Sequence, residues 1–207
     1  MGSNIKSINN DCIVTPFSNR QESRIHSSKI NSPFKIIDPG IINIFNLRGR
    51  QRSSIFKQTI YKVLGLDLPN KTGFFTTLKD YTLLQVAPDE WLILSKSDSI
   101  LDIIPDLERK MSKVHSSVTD VSDQFQVIYL SGSKCRWNLS KGCSLDLHPS
   151  FFKPRTCAQT LLGLAEITLF CSEKNSFTLI CRNSFADYVL DWLIDSAKET
   201  GFEFKKF

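Results

Sequence analysis

The sequence predicts an α+β fold made of two similar βαββαβ modules, the split-βαβ arrangement, packed as one body. Three observations predict it. Strand-like and helix-like apolar periods alternate along the chain, and the order strand, glycine turn, helix, strand pair, helix occurs twice. The two occurrences are offset by about 80 residues, far longer than a solenoid repeat. Gly49 aligns with Gly132, the stretch Gly65 to Pro69 with Gly142 to Pro149, and Trp91 with Phe177. A chain of 207 residues buries about 70 % of its unfolded surface, so it needs no disulfide or structural metal to fold.

Residues 1–34, rich in Ser, Asn, Lys and Arg, read as a polar arm that orders on a partner. The first module, 35–123, begins with IINIFNL (41–47), a buried strand. SIFKQTIYKVLG (54–65) follows as a helix with Ile55, Thr59, Ile60, Val63 and Leu64 at helical spacing and Gly65 as its stop. YTLLQVAPDEWLILS (81–95) makes two strands about an Ala-Pro-Asp-Glu turn. Ile100, Ile103, Leu107, Met111 and Val114 mark a second helix, which Pro105 should kink or begin, and SSVTDVSD (116–123) is a closing strand.

The second module, 124–207, starts with QVIYLSG (126–132) as a strand and SKCRWNLSKG (133–142) as a short helix ending at a glycine. TLLGLAEITLFCSEKNSFTLICR (160–182) reads as a pair of strands with a polar turn near 173–176. SFADYVLDWLIDSAKETG (184–201) is a helix with a capping-box-like start at Ser184 and Asp187. Phe185, Val189, Trp192 and Leu193 form its apolar face, and Gly201 ends it.

Lys and Arg total 26 against 21 Asp and Glu, a net charge of +5. Lys6, Arg20, Arg24, Lys29 and Lys35 against Asp11 and Glu22 place three of those five charges in residues 1–35. The rest is close to neutral, which argues against a folded nucleic-acid binder, whose basic residues belong on its globular part. No run of about 18 apolar residues is present, and the N-terminus has neither a signal-peptide core nor the acid-poor composition of a transit peptide. The six cysteines include no Cys-x-x-Cys pair and fit a reducing compartment. The reading is a cytoplasmic protein with no membrane or nucleic-acid partner.

Two stretches carry residue types with chemistry. In KGCSLDLHP (141–149), Lys141, Gly142, Cys143, Asp146, His148 and Pro149 bring a thiol, a carboxylate and an imidazole close in sequence. On an extended segment Asp146 and His148 share a face and Cys143 points opposite, so the local spacing does not make a nucleophile and base. Zinc would need a second ligand pair at suitable spacing, and none is near. Gly65-Leu66-Asp67-Leu68-Pro69 keeps the same frame in the first module without cysteine or histidine, so a helix exit accounts for it. The second stretch is RGRQR, where Arg48, Arg50 and Arg52 fall at a strand-to-helix turn and could meet an anion or a partner. No GxGxxG or P-loop glycine pattern is present.

Several motifs in order carry a resemblance: APDEWLIL, DVSD, KGCSLDLHP, the TCAQT strand start and RNSFADYVLDWL. Over residues 40–202 the chain resembles the gamma subunit of heterotetrameric sarcosine oxidase. The resemblance implies a fold similar to the folate-binding domain of glycine-cleavage aminomethyltransferases. It implies a complex that oxidatively demethylates sarcosine to glycine, passes the one-carbon unit to tetrahydrofolate and makes hydrogen peroxide. It also implies alpha, beta and delta partners that hold FAD, FMN, NAD, tetrahydrofolate and zinc, with no cofactor and no catalytic residue on this chain, and a structural or subunit-contact role for residues 141–149. Two alternatives remain. Lys141-Gly142-Cys143 is similar to the KGCY-x-GQE signature of folate-dependent iron–sulfur maintenance proteins, although Ser144 replaces the tyrosine and no Gly-Gln-Glu follows. A free-standing anion or RNA binder would rest on the arm and RGRQR alone.

Overall fold

The strands alternate apolar side chains between two buried faces, and this pattern decides the layers. The computed structural model describes residues 15–25 and 32–206. In chain order the elements are β1 (Ser23–Ile25), β2 (Lys35–Asp38), β3 (Asn43–Gly49), α1 (Ser54–Leu64), β4 (Phe75–Leu78), β5 (Tyr81–Ala87) and β6 (Glu90–Ser95). There follow α2 (Ile100–Met111), β7 (Ser116–Asp120), β8 (Phe125–Ser131), α3 (Cys135–Ser140), β9 (Cys157–Leu162), β10 (Ala165–Glu173), β11 (Ser176–Arg182), α4 (Ala186–Ala197) and β12 (Phe202–Lys206). One sheet runs β4-β5-β6-β3-β7 and the other β1-β12-β2-β8-β11-β10-β9.

On β6, Trp91 and Ile93 pack with Phe56, Ile60 and Leu64 of α1 and with α2. Leu92 and Leu94, one residue out of phase, pack instead toward Val127, Phe170 and Ile180 of the other sheet. β11 does the same in mirror fashion, with Leu179 and Cys181 in the core that holds α3 and α4, and Ile180 between the sheets. Helices therefore cover the outer faces and the two sheets meet face to face, four layers in all. Because both faces of these strands are buried, they read as continuous apolar runs.

The duplication is present in the topology. β5-β6-β3-β7 and β10-β11-β8…β12 have the same order relative to their own helices, which is the split-βαβ arrangement. Trp91 and Phe177 hold equivalent places, each the second residue of its strand; Trp91 meets Phe56 at 5.5 Å between ring centroids and Phe177 meets Phe152 at 6.1 Å. Ser53 caps α1 by accepting from the Phe56 N–H, and Gly65 closes it in the left-handed conformation at φ 69°.

The structure departs from the sequence reading at several places. β2 falls within 35–123, the stretch that the sequence assigns to the first module, yet it lies in the second sheet, antiparallel to β8 and parallel to β12. It fills the slot between β8 and β12, the first and last strands of the second module, whose counterparts β3 and β7 pair directly. Part of the expected polar arm is also built into this sheet: Ser23–Ile25 pairs with β12, and Phe17 and Phe34 are fully buried. The remainder of that arm, residues 1–14 and 26–31, lies outside the described residues. The stretch 160–172 is two strands joined at Gly163-Leu164, with Gly163 at φ 58°, so β9 and β10 form a hairpin. The capping box is not formed; a 3-10 turn at Asn183–Phe185 leads into α4, whose N-cap makes no side-chain bond. α2 runs from Ile100 to Met111 with Pro105 inside it, so the proline does not begin the helix; lacking an N–H, it can make no backbone hydrogen bond to the preceding turn.

Asp38 ends β2 as a carboxyl only 3 % exposed, accepting from the Gly40 N–H and from Gln126 Nε2, both at 3.0 Å. Burial raises it above its ordinary value of 3.8, against the lowering effect of those two donors and of Lys206. Between the ordinary and the raised value the folded chain binds more protons than the unfolded chain, so stability falls as pH rises through that window and levels off above it. Asp38→Asn keeps an acceptor oxygen for both donors. Its denaturant midpoint is expected to exceed the wild type's at about pH 7 and to lose that advantage toward about pH 4. An advantage equal at both would contradict the assignment.

Candidate functional site

The chain leaves α3 through a corner, residues 141–152, that must turn back to begin β9. One side chain of α3 supplies donors for two of its carbonyls, those of Leu147 and Phe152. Arg136 donates through Nη1 to the carbonyls of Leu147 and Phe152 and through Nε to that of Lys174, the last at 2.7 Å. Its Nη2 lies 3.5 Å from Cys171 Sγ, and the guanidinium stands 4.8 Å over the Phe177 ring. One planar fork thus ties the corner to the β10–β11 hairpin, a use of its geometry that a lysine does not share.

The predicted site residues fasten the same corner from the other side. Lys141 Nζ donates to the Ser196 carbonyl and to Glu199 Oε1 at the end of α4. That ammonium is the main reason the Glu199 carboxyl sits below its ordinary value, with the Trp137 indole N–H second. Gly142 leaves α3 without a left-handed turn; its role is room, since a Cβ there would stand 2.3 Å from the Trp192 ring. This differs from Gly65, which is required by its backbone angle. The Gly142 carbonyl accepts from the Gly163 N–H at 2.9 Å, locking the corner to the β9–β10 hairpin. Asp146 Oδ1 accepts from the His148 N–H at 2.8 Å, a local turn.

Cys143 and His148 are held apart in role. Cys143 is 8 % exposed, bridges Leu162 through its backbone, and has its Sγ 3.9 Å from Thr160 Oγ1. His148 is exposed, its Nδ1 2.6 Å from Ser150 Oγ and accepting from the Ser150 N–H at 3.3 Å. Among the described residues no hydrogen bond joins the thiol to the imidazole. Burial pushes the Cys157 and Cys181 thiols up to about 12 and raises Cys135 and Cys171, so these four pack as protonated apolar groups. Among the described residues no three His, Cys, Asp or Glu side chains stand where they could share a metal ion.

RGRQR lies where expected, between β3 and α1, but its arginines do not converge. Arg48 Nη2 meets Glu90 Oε2 at 2.8 Å, while Asn46 Nδ2 takes the other carboxylate oxygen at 2.6 Å. Arg50 and Arg52 are exposed on the turn. The first turn of α1 already has a donor engaged by Ser53, which removes part of what an anion would use there.

Sequence reasoning missed two clefts where the sheets splay. One, of about 420 Å³, is lined by Phe75, Phe170, Tyr129, Lys79 and Lys96. Lys96 Nζ stands 4.6 Å over the Tyr129 ring, and burial pushes the Tyr129 hydroxyl up to about 12. The other, of about 560 Å³, holds Glu90, Glu166 and Arg182 at the opposite end. Neither has a local sequence signal, because each is assembled from strands of both sheets.

A model of the sarcosine oxidase, gamma subunit family matches residues 48–199. The chain belongs to that family. Among curated relatives, the sarcosine oxidase subunit gamma of Corynebacterium sp. (strain P-1) is 27 % identical over 139 residues, 67 % of this chain and 68 % of that one. The subunit of the same name from an Arthrobacter sp. is 28 % identical over 137 residues, 66 % of each. Among solved structures, a chain of the heterotetrameric sarcosine oxidase from Corynebacterium sp. U-96 in complex with pyrrole 2-carboxylate superposes with a TM-score of 0.79 at 22 % identity, covering 91 % of this chain and 96 % of that one. The glycine cleavage system aminomethyltransferase T from Bartonella henselae gives 0.62 at 10 % identity, covering 84 % and 48 %. These likenesses show the fold, which is similar to that of an aminomethyltransferase, as the resemblance implied. No helix among the described residues is long and apolar enough to cross a membrane.

Proposed function

We propose that this chain is the noncatalytic gamma subunit of a heterotetrameric sarcosine oxidase, acting in the cytoplasm beside alpha, beta and delta subunits. In this reading the complex oxidises sarcosine, transfers the released one-carbon unit to tetrahydrofolate and reduces oxygen to hydrogen peroxide, leaving glycine. FAD, FMN, NAD, tetrahydrofolate and zinc are held by the other subunits, and gamma stabilises the assembly.

Beyond family membership, one observation carries the noncatalytic part: the three residues with chemical potential are all engaged in holding a corner. Cys143 is buried and bridges the end of β9, Asp146 accepts from the His148 N–H, and His148 is bonded to Ser150. A nucleophile requires a base within hydrogen-bond reach, and here thiol and imidazole have separate partners. The donor set also fits zinc poorly, as no three suitable groups converge among the described residues. Lys141, Gly142 and Pro149 then serve as a structural frame near a subunit contact, with Arg50 and Arg52 as a second, charged surface for a partner.

Cys143→Ser and His148→Gln complexes that carry full flavin are expected to turn over sarcosine within about twofold of wild type, as for residues that make no interaction specific to the transition state. Abolished turnover in such an assembled, flavin-replete complex would overturn the noncatalytic reading. Tetrahydrofolate binding by the purified chain alone would favour the folate-dependent alternative.

A further inference from the structure

The corner at 141–149 has a consequence on the outside of the molecule. With no side chain at Gly142 and Gly163, the Trp192 ring and the Tyr188 hydroxyl come down onto the backbone; a Cβ at Gly163 would stand 2.4 Å from Tyr188 Oη and 3.4 Å from Trp192. Tyr188 Oη accepts the Leu164 N–H at 3.0 Å, which pins the tip of the β9–β10 hairpin to α4. Around this lock lie Leu164, 83 % exposed, with Leu161 at 46 %, Phe185 at 40 % and Tyr188 at 37 %. Phe185 and Tyr188 meet edge to face at 6.4 Å.

Several apolar side chains held this rigidly in solvent are costly to an isolated chain, whereas single exposed residues are ordinary. Aromatic anchors with little conformational freedom left to lose are what a binding centre uses. The rim has a sign as well. Asp187, Asp191 and Asp195 repeat every four residues along α4 beside Tyr188 and Trp192, with side chains 63 %, 63 % and 75 % exposed. They share two cations, Arg20 for the first pair and Lys198 for the third. An open groove of about 440 Å³ on this face is lined by Tyr188, Trp192 and Ile194, with Asp191, Asp195 and the Lys198 that pairs with Asp195 at its polar edge. Its apolar floor and acidic edge are complementary to an apolar side chain flanked by Arg or Lys.

We infer that the α4 and β9–β10 face is where this chain docks a larger subunit of its own oxidase, through a segment of that subunit presenting an apolar anchor between basic residues. The inference rests on the gamma-subunit reading above. It also gives the 141–149 motif a purpose without chemistry: Gly142 and Lys141, with Gly163 of the hairpin turn, shape and fix the platform, and Cys143 packs in the core beside it.

The experiment is co-expression with the oxidase subunits, purification through a tag on this chain, and quantitation of what is recovered. Leu164→Asp and Phe185→Asp place a charge at exposed positions, and folding is checked by circular dichroism and thermal midpoint. Each folded variant is expected to recover at least tenfold less of the large subunits than wild type, while Ile55→Asp, at an exposed site on α1, recovers them fully. Wild-type recovery by both folded variants, or an equal loss from Ile55→Asp, would overturn this assignment and leave the subunit reading intact. A wild-type chain that brings down no oxidase subunit would overturn both. A homodimer of the chain alone that Leu164→Asp dissolves would show a self-contact and overturn the assignment too.

Discussion

Arg136→Ala is expected to lower the unfolding free energy by about 3–5 kcal/mol, since hydrogen bonds from a charged donor contribute about 1.5–3 kcal/mol each and acceptors left buried add a desolvation cost. The substitution removes the donors to Leu147, Phe152 and Lys174 and the guanidinium over Phe177. Partial exposure of Arg136 keeps the figure below the sum of the bonds. Arg136→Lys preserves the charge but reaches at most one or two carbonyls, and is expected to recover less than half of the loss. Urea denaturation measures both. A loss under about 1 kcal/mol for the alanine variant would place it among ordinary surface substitutions and contradict the fastening role of this residue.

Gly132→Ala is the second large expected loss, about 3–5 kcal/mol, and it tests how the first part of the chain joins the second sheet. Gly132 ends β8 at φ 119°, a region open to glycine and strained for other residues, at a cost of about 1–3 kcal/mol. Its added Cβ would also stand 2.3 Å from the Pro33 carbonyl oxygen, backbone that cannot rotate aside. Pro33 leads directly into β2, and its carbonyl accepts from the Lys134 N–H at 2.9 Å. The methyl group therefore forces β2 away from β8 or distorts the entry to α3, an overpacking penalty of about 1–3 kcal/mol further. Hydrogen exchange in the variant is expected to rise first at residues 35–38. Unchanged stability would show that β2 does not need the close approach.

These two positions also mark what a reader of the sequence could and could not see. The duplication was legible because its signals are local: Gly65 after an amphipathic helix, Trp91 and Phe177 at matching places, Ala-Pro-Asp-Glu between two strands. β2 was not. KIID has the length of a short strand, but its partners β8 and β12 lie far along the chain, and no local pattern names them. Phe17 and Phe34 were passed over for the same reason, as two aromatics in a polar stretch whose burial against β12 and its neighbours depends on tertiary pairing. Gly163 was readable in principle: a glycine inside an apolar run signals a break, and treating 160–172 as one strand ignored it.

At the candidate site, the sequence identified the corner but not its anchor. Lys141, Gly142, Cys143, Asp146 and His148 attract notice as residue types. Arg136 lies five residues before Lys141 in a helix whose periodicity gives no hint that its guanidinium turns inward onto carbonyls. The relation between the Gly142 to Pro149 stretch and its first-module counterpart already favoured a structural reading, and the separate partners of Cys143 and His148 support that reading physically.

The most direct test of the central claim is native purification through a tag on this chain, with subunit identification and an absorption spectrum of what accompanies it. A yellow complex of this chain with one large, one medium and one very small subunit, oxidising sarcosine with production of hydrogen peroxide, is the predicted result. A colourless monomer that binds tetrahydrofolate by itself would contradict the account and return Cys143 to consideration as a functional group.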